Sequence, residues 1–246
     1  LHAHLTADAT VLAGAMVKHL PHAAGDLLAA HIGPYQASLA VKKARLLSAT
    51  ADASLVPKQT SLTTRYALPG SDVELVNLPG IFSREKLDNG TRALLDTLPT
   101  AQGTQLIIDL GCGNGALGIR AAQLNPEAQL LFVDESYAAV ASARLNFTSA
   151  FPGRAAEFLV SDGLTDVTPA SAGLVLCNPP FHQQQAVGDE MAKRLFAQSR
   201  EALNDEGSLM VVGNRHLGYH VKLRTNFEKV EQLSANPKFV VLKASN

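Results

Sequence analysis

From residue 104 onward the apolar positions switch repeatedly between two periods. TQLIIDL (104–110), AQLLFVD (128–134), RAAEFLVSD (154–162), AGLVLCN (172–178) and GSLMVVGN (207–214) are short apolar runs of strand length. Between them ALGIRAAQL (116–124), ESYAAVASARLNF (135–147), EMAKRLFAQSREAL (190–203) and HVKLRTNF (220–227) carry apolar residues at helical spacing. KVEQLSA (229–235) and KFVVLKA (238–244) read as a closing strand pair about Asn236-Pro237. Short strands separated by helices predict an α/β fold with a mostly parallel sheet and helices on both faces. Ligands of such sheets gather at the carboxyl ends of the strands.

The first part of the chain repeats the pattern of the last. VLAGAMVKHLPHAAGDLLAAHIGPYQASLAVKKARLLSA (11–49) and LMVVGNRHLGYHVKLRTNFEKVEQLSANPKFVVLKA (209–244) each read as strand, basic-His-Leu, helix and final strand. Lys18-His19-Leu20 matches Arg215-His216-Leu217. The expectation is a duplication, with residues 1–50 the tail end of a second sheet domain. KQTSLTTRYALPGSDVELVNLPG (58–80) reads as a linker with a hairpin about Pro69-Gly70. The chain opens with Leu rather than Met, which reads as a fragment or a processed form.

Composition narrows the classes. The 46% hydrophobic content of the 246 residues is that of a globular chain. No apolar run approaches the roughly 18 residues that span a bilayer. HAHLTADAT follows residue 1, where a signal peptide has a basic start and an apolar core. The 2 cysteines, Cys112 and Cys177, form no CxxC, so neither a zinc site nor a disulfide framework is expected. The expectations are no metal, no membrane and a cytoplasmic setting; a monomer is also expected, on no feature of the composition. A net charge of −1 means that any nucleic-acid binding must come from a local patch.

Candidate chemistry sits at the strand ends. The first strand runs Asp109-Leu110-Gly111-Cys112-Gly113-Asn114-Gly115 into a helix. Glycines there permit a tight turn and close approach to a ligand. The next strand ends in Asp134, about 20 residues on, the spacing of an acid that accepts hydrogen bonds from a ribose. The following strands end at Asp162 and Asn178. Asp and Asn also serve as helix N-caps, but capping alone does not explain this recurrence beside a glycine loop. Gly111, Gly113 and Gly115 alternate with Ala116 next, which departs from the G-x-G-x-x-G of dinucleotide binders. An acid at Asp109 would repel a pyrophosphate and attract an ammonium. A ligand with a ribose, an adenine and an amino acid tail fits better, namely S-adenosylmethionine.

Together LIIDLGCGNG, FVDES, SDG and NPPF resemble class I S-adenosylmethionine-dependent methyltransferases. The resemblance covers about residues 80–244 and implies a Rossmann-like, mostly parallel seven-stranded sheet with a C-terminal antiparallel strand. By it, Asp109 and the backbone of Gly111, Gly113, Asn114 and Gly115 would hold the methionine end. Asp134 would take the ribose hydroxyls and Asp162 the adenine amine, with Asn178 beside them. In the family it resembles, Asn-Pro-Pro followed by Phe or Tyr marks transfer to a planar exocyclic nitrogen. Such an amine is a poor nucleophile because its lone pair is delocalised. The Asn178 side-chain oxygen and the Pro179 carbonyl would accept its two N–H bonds, and Phe181 would stack on the base, worth about 1–3 kcal/mol. Pro179 and Pro180 would hold these groups rigid before substrate arrives. His182 receives no role.

LPGIFSREKLDNGTRALLDTLP (78–99) resembles the pre-core segment of the bacterial ribosomal RNA guanine-N2 methyltransferases, the RlmG/RsmC group. Phe82, Ser83, Asp88 and Gly90 would then close over the cofactor; alternatively, Asp88 caps a helix and Phe82 packs on the sheet. The run 214–244 looks closer to the branch acting on large-subunit RNA than to the small-subunit branch. That group carries an N-terminal methyltransferase-like domain without catalytic motifs, which implies a remnant domain plus linker over 1–75 and a catalytic domain over 76–246. The expected partner is ribosomal RNA, gripped by Lys42, Lys43 and Arg45 and by Arg215, Lys222 and Arg224. Two other functions stay open: a glutamine side-chain methyltransferase acting on protein, and a non-catalytic RNA-binding module.

Overall fold

The computed structural model describes residues 4–56, 62–103, 105–180 and 185–246. It divides into two compact units, Leu1–Ser61 and Leu62–Asn246. In the first, β1 (Thr10–Met16), α1 (His22–His31), β2 (Tyr35–Ala37) and β3 (Ala44–Thr50) build an antiparallel sheet in the order β1-β3-β2. A tight turn through Lys42 and Lys43 leads into β3, and both residues have positive φ (47° and 64°). That conformation is uncommon outside Gly, Asn and Asp.

The second unit opens with a hairpin of β4 (Thr64–Ala67) and β5 (Glu74–Asn77), placed about Pro69-Gly70 as the turn residues predict. Then come α2 (Asn89–Leu95), β6 (Leu106–Leu110), α3 (Ala116–Leu124), β7 (Gln129–Asp134), α4 (Tyr137–Ala150) and β8 (Glu157–Val160). The chain continues through β9 (Ala172–Cys177), α5 (Gln185–Ala202), β10 (Leu203–Asn214), α6 (Tyr219–Leu223), β11 (Lys229–Ala235) and β12 (Phe239–Ser245). Seven strands form one sheet in the order β11-β12-β10-β9-β6-β7-β8. β12 runs antiparallel to both its neighbours, β10 and β11, as expected for the closing pair. Asn236 makes that reversal, its Oδ1 accepting from Lys238 N at 2.9 Å and Phe239 N at 2.7 Å.

The strand order reverses at β6. β7 and β8 lie to one side of it, and the chain then crosses back to place β9 on the other. Strands β6 and β9 pair in parallel with Leu110 opposite Cys177. The loops that follow them therefore leave the sheet side by side, at the point where ligands of doubly wound sheets bind.

Both faces of the sheet are covered, which explains why the β9 residues Ala172–Cys177 are all buried. One face carries Ile107, Phe132, Leu174 and Leu176 against α2, α3 and α4. The other carries Ile108, Val133, Val175 and Val211 with Phe196 and Tyr219. Phe132 stacks on Phe158 (5.0 Å, 8° between planes) and meets Phe147 edge-on at 5.4 Å. Helix α6 is shorter than the helical run over 220–227 predicts; it ends at Leu223, and Phe227 is drawn into the core. β10 begins at Leu203 rather than 207, with a register shift before Ser208. Burial of Leu203 outweighs the helical spacing there.

The repeat expected between the chain's two ends has a counterpart in topology. β1, a 3₁₀ turn at Val17–His19, α1, β2 and β3 follow one another as β10, the turn at Arg215–Leu217, α6, β11 and β12 do. In each sheet the first strand pairs antiparallel with the third, and the second lies beyond it. Phe147, 1% exposed and in contact with Phe132, Phe151 and Phe158, should be a main anchor of α4. Phe147→Ala should lower unfolding free energy by about 3–5 kcal/mol. Leu145→Ala, at a position 47% exposed, should cost far less. Urea denaturation of both variants checks this, and equal losses would contradict it.

Candidate functional site

The turn after β6 takes its shape from three glycines. Gly111, Gly113 and Gly115 have φ of 71°, 54° and 84°, a region that side chains with a Cβ rarely adopt. A Cβ at Gly111 or Gly113 would meet nothing within 4 Å, so their backbone faces open space, whereas one at Gly115 would fall 3.1 Å from Ala143. The first two glycines keep backbone open to a ligand; the third lets α3 pack against α4. Asp134 at the end of β7 holds the turn, its Oδ2 accepting from Gly113 N at 3.0 Å and its Oδ1 from Ser136 N at 2.9 Å. Each carboxylate oxygen keeps a further acceptor site.

A cavity of about 280 Å³ opens at these strand ends. Its wall includes Phe82, Gly111, Gly113, Asp134, Asp162, Asn178, Pro179 and Pro180, together with Ile81, Met191 and Arg194. A second cavity, about 50 Å³, is lined by Tyr66, Phe82, Ser83, Asp88, Thr91, Asn114 and Asn178 among others. Gly111, Gly113, Phe82 and Asn178 belong to both. Most of the residues singled out from sequence thus converge on one place.

Several differ from expectation in detail. Asp109 lines neither cavity. It is 1% exposed, and its Oδ2 accepts from Gly118 N at 2.8 Å, which ties β6 to α3. Burial, reinforced by the nearby charge of Asp134, pushes its carboxyl up to about 8 despite the Gly118 bond. Its Oδ1 is buried without a hydrogen-bond partner among the described residues. Gly115 and Gly90 are also absent from the cavity walls. Asp162 lines the cavity but is exposed and paired with Arg194, whose Nη2 donates to Oδ1 at 2.6 Å and whose Nη1 donates to Oδ2. That bond holds the Asp162 carboxyl below its ordinary range. Ser83 donates to Lys86 O at 2.7 Å. Lys222 is paired with Asp189 at 2.7 Å and lies over the Tyr219 ring. Phe181 and His182 lie outside the described residues.

Asp88 does cap α2, accepting from Thr91 N at 2.9 Å. Its Oδ2 also accepts from Asn178 Nδ2 at 3.0 Å, and Thr91 Oγ1 accepts from the same nitrogen at 2.9 Å. Asn178 Oδ1 is buried and has no hydrogen-bond partner among the described residues. Asn114 Nδ2 donates to Tyr66 Oη at 2.6 Å and to Asn77 Oδ1 at 2.7 Å. Asn146 Nδ2 donates to Asn114 O at 2.9 Å, and its Oδ1 accepts from Val76 N at 2.8 Å. This asparagine network binds the β4–β5 hairpin to the glycine turn. Tyr66, Thr91 and Arg194 were not legible as site residues, because no motif spacing links them to the strand ends.

Residues 72–243 match the family model described as methyltransferase small domain. The chain belongs to that family. Residues 1–53 match the RLMG N-terminal domain. The chain is 57% identical over 245 residues to Ribosomal RNA large subunit methyltransferase G of Ectopseudomonas mendocina, covering 100% of this chain and 65% of that protein. It is 56% identical over 244 residues to the protein of the same name from Pseudomonas aeruginosa, covering 99% of this chain and again 65% of the relative. The chain therefore spans a little under two thirds of the length of these curated relatives. A solved 16S rRNA N2 methyltransferase (RsmC) from T. thermophilus, in complex with AdoMet and guanosine, superposes with a TM-score of 0.83 at 22% identity, covering 100% of this chain and 67% of that one. That likeness shows the class I methyltransferase fold. The resemblance to the RlmG/RsmC group, and within it to the RlmG branch, thus holds over the whole chain. Among the described residues no helix is long and apolar enough to cross a membrane, and no group of three or more His, Cys, Asp or Glu is placed to hold a metal ion.

Asp109 makes a pH prediction. In the unfolded chain its carboxyl ionises near 3.8, in the folded one near 8. Between those values the folded state holds the extra proton, so stability from this group is full at low pH and falls as pH rises through the window. Asp109→Asn should remove that component. Urea midpoints at pH 5 and pH 8 should differ more in the wild type than in Asp109→Asn, and identical differences would refute the assignment.

Proposed function

We propose that this protein transfers a methyl group from S-adenosylmethionine to the exocyclic N2 of a guanine in large-subunit ribosomal RNA. The observation that carries the reading is the Asn178-Pro179-Pro180 corner, which lines one cavity together with the Gly111–Gly113 turn and Asp134. The large-subunit assignment rests on relatives at 57% and 56% identity named for that reaction class.

The residues present fit the cofactor. Gly111 and Gly113 offer open backbone at positive φ, and Asp134 has acceptor sites left for a ribose. Asp162 lies on the same wall for the adenine amine, and Arg194 limits its freedom. Bound there, S-adenosylmethionine supplies an electrophilic sulfonium methyl. The protein's part is alignment. Asn178 Oδ1, an acceptor without a described partner, and the Pro179 carbonyl receive the two N–H bonds of the amine. The nitrogen lone pair is thereby directed at the methyl, and the proton becomes acidic only as the new bond forms. The S–C bond would break as the N–C bond forms, the sulfur would leave as a neutral thioether and the proton would pass to water, so no strong base is required. A guanine paired in a duplex cannot reach the cavity, so the target base is unpaired or extruded, at a cost of a few kcal/mol. Lys42, Lys43 and Arg45 in the first unit, with Arg215, Lys222 and Arg224 in the second, are the candidate phosphate contacts of this reading.

Two variants separate binding from chemistry. Asp134→Ala should weaken S-adenosylmethionine binding by about 1.5–3 kcal/mol by calorimetry, through lost ribose contacts and a loosened Gly113 amide. Asn178→Ala should leave that affinity nearly intact and depress methyl transfer to protein-free ribosomal RNA at least about tenfold, since alignment matters on the way to the transition state. Nucleoside digestion of the product should yield N2-methylguanosine; N6-methyladenosine, or methylation of protein alone, would overturn the substrate.

A further inference from the structure

We propose that Asp88 and Thr91 are positioning residues for the Asn178 amide: Asp88 sets which end of it meets the substrate, and Thr91 anchors it in place. An asparagine amide has one accepting and one donating end, and a rotation of 180° about its last bond exchanges them. A reaction that needs an acceptor at this spot fails when the donor is turned into the cavity. Something must therefore hold the amide in one orientation.

The geometry supplies two restraints on the same nitrogen. Asn178 Nδ2 donates to Asp88 Oδ2 at 3.0 Å and to Thr91 Oγ1 at 2.9 Å, so both of its N–H groups are used. A carboxylate can only accept. In the flipped orientation Asn178 Oδ1 would face the carboxylate oxygen, so the amide would lose its bond to Asp88 and gain a repulsion; the Thr91 hydroxyl can turn and donate, so Asp88 sets the sense of the amide and Thr91 anchors it. Asp88 is itself held by the Thr91 amide at 2.9 Å, because it is the N-cap of α2. One helix start thus fixes both restraints. The consequence is visible at the other end of the amide: Asn178 Oδ1 is buried without a partner among the described residues, although leaving a buried acceptor unmade is costly. The arrangement keeps an unpaired acceptor on a residue that lines both cavities. This deepens the proposed methyl transfer and rests on Asn178 being the acceptor for the amine.

The test turns on the Thr91 hydroxyl. Thr91→Val keeps the shape and removes the acceptor; Thr91→Ser keeps the acceptor and removes a methyl. Methyl transfer from radiolabelled S-adenosylmethionine to protein-free large-subunit ribosomal RNA is measured for both, with KM for the cofactor. Positioning requires that kcat of Thr91→Val fall at least about fivefold below that of Thr91→Ser, with cofactor KM within about twofold of wild type. Any smaller gap, or the reverse order expected if Thr91 only packs, overturns the inference. In an Asn178→Ala background Thr91→Val should cost nothing further, because it acts through that amide; an additive loss also overturns it. Should Thr91→Val fail to fold, Asp88→Asn serves instead. It retains a capping oxygen but can donate, so the orientation bias is lost and the same fall in kcat with unchanged cofactor KM is required. Failure of the underlying reading looks different: Asn178→Ala itself then turns over at the wild-type rate.

Discussion

The parallel pairing of β6 with β9 is the constraint on which the site depends. With Leu110 opposite Cys177, the residues that follow each strand, Gly111 and Asn178, start from the same edge of the sheet. Neither segment makes a site alone. The glycine turn offers open backbone, and the proline-stiffened corner offers an amide and a carbonyl. Only the reversal of strand order between β7 and β9 brings the two together. The buried aliphatic face of β9 against β6 and β10 makes this register costly to shift, since a slip would exchange side chains between the two cores.

Around that edge, polar groups hold the turns while apolar groups hold the layers. Asp109 fastens β6 to α3, Asp134 fastens the glycine turn to β7, and Asp88 fastens α2 to Asn178. Each acid is a strand-end or capping residue by position, and each also restrains a neighbouring element. The three asparagines at 77, 114 and 146 extend the same principle to the β4–β5 hairpin, whose Tyr66 reaches the smaller cavity. The hairpin, which reads as part of a linker, is hydrogen-bonded into the second unit through Val76 and Leu78.

What the amino-acid sequence determined by itself was local and periodic. The strand and helix runs, the turn glycines, the closing pair about Asn236 and the repeat of strand, helix and strands at both ends follow from spacing and turn chemistry, which act over a few residues. The strand-end acids were visible because a doubly wound sheet gives those positions a common address. Tertiary structure decided the rest. It tied one oxygen of the buried Asp109 to a helix amide, paired Lys222 with Asp189, and shortened α6 so that Phe227 could be buried. It also joined Asn178 to Thr91 and Asp88, residues nearly ninety positions away in the chain. The reason is that a side chain's partner is chosen by three-dimensional packing and by the need to satisfy buried polar groups, neither of which leaves a mark in linear spacing.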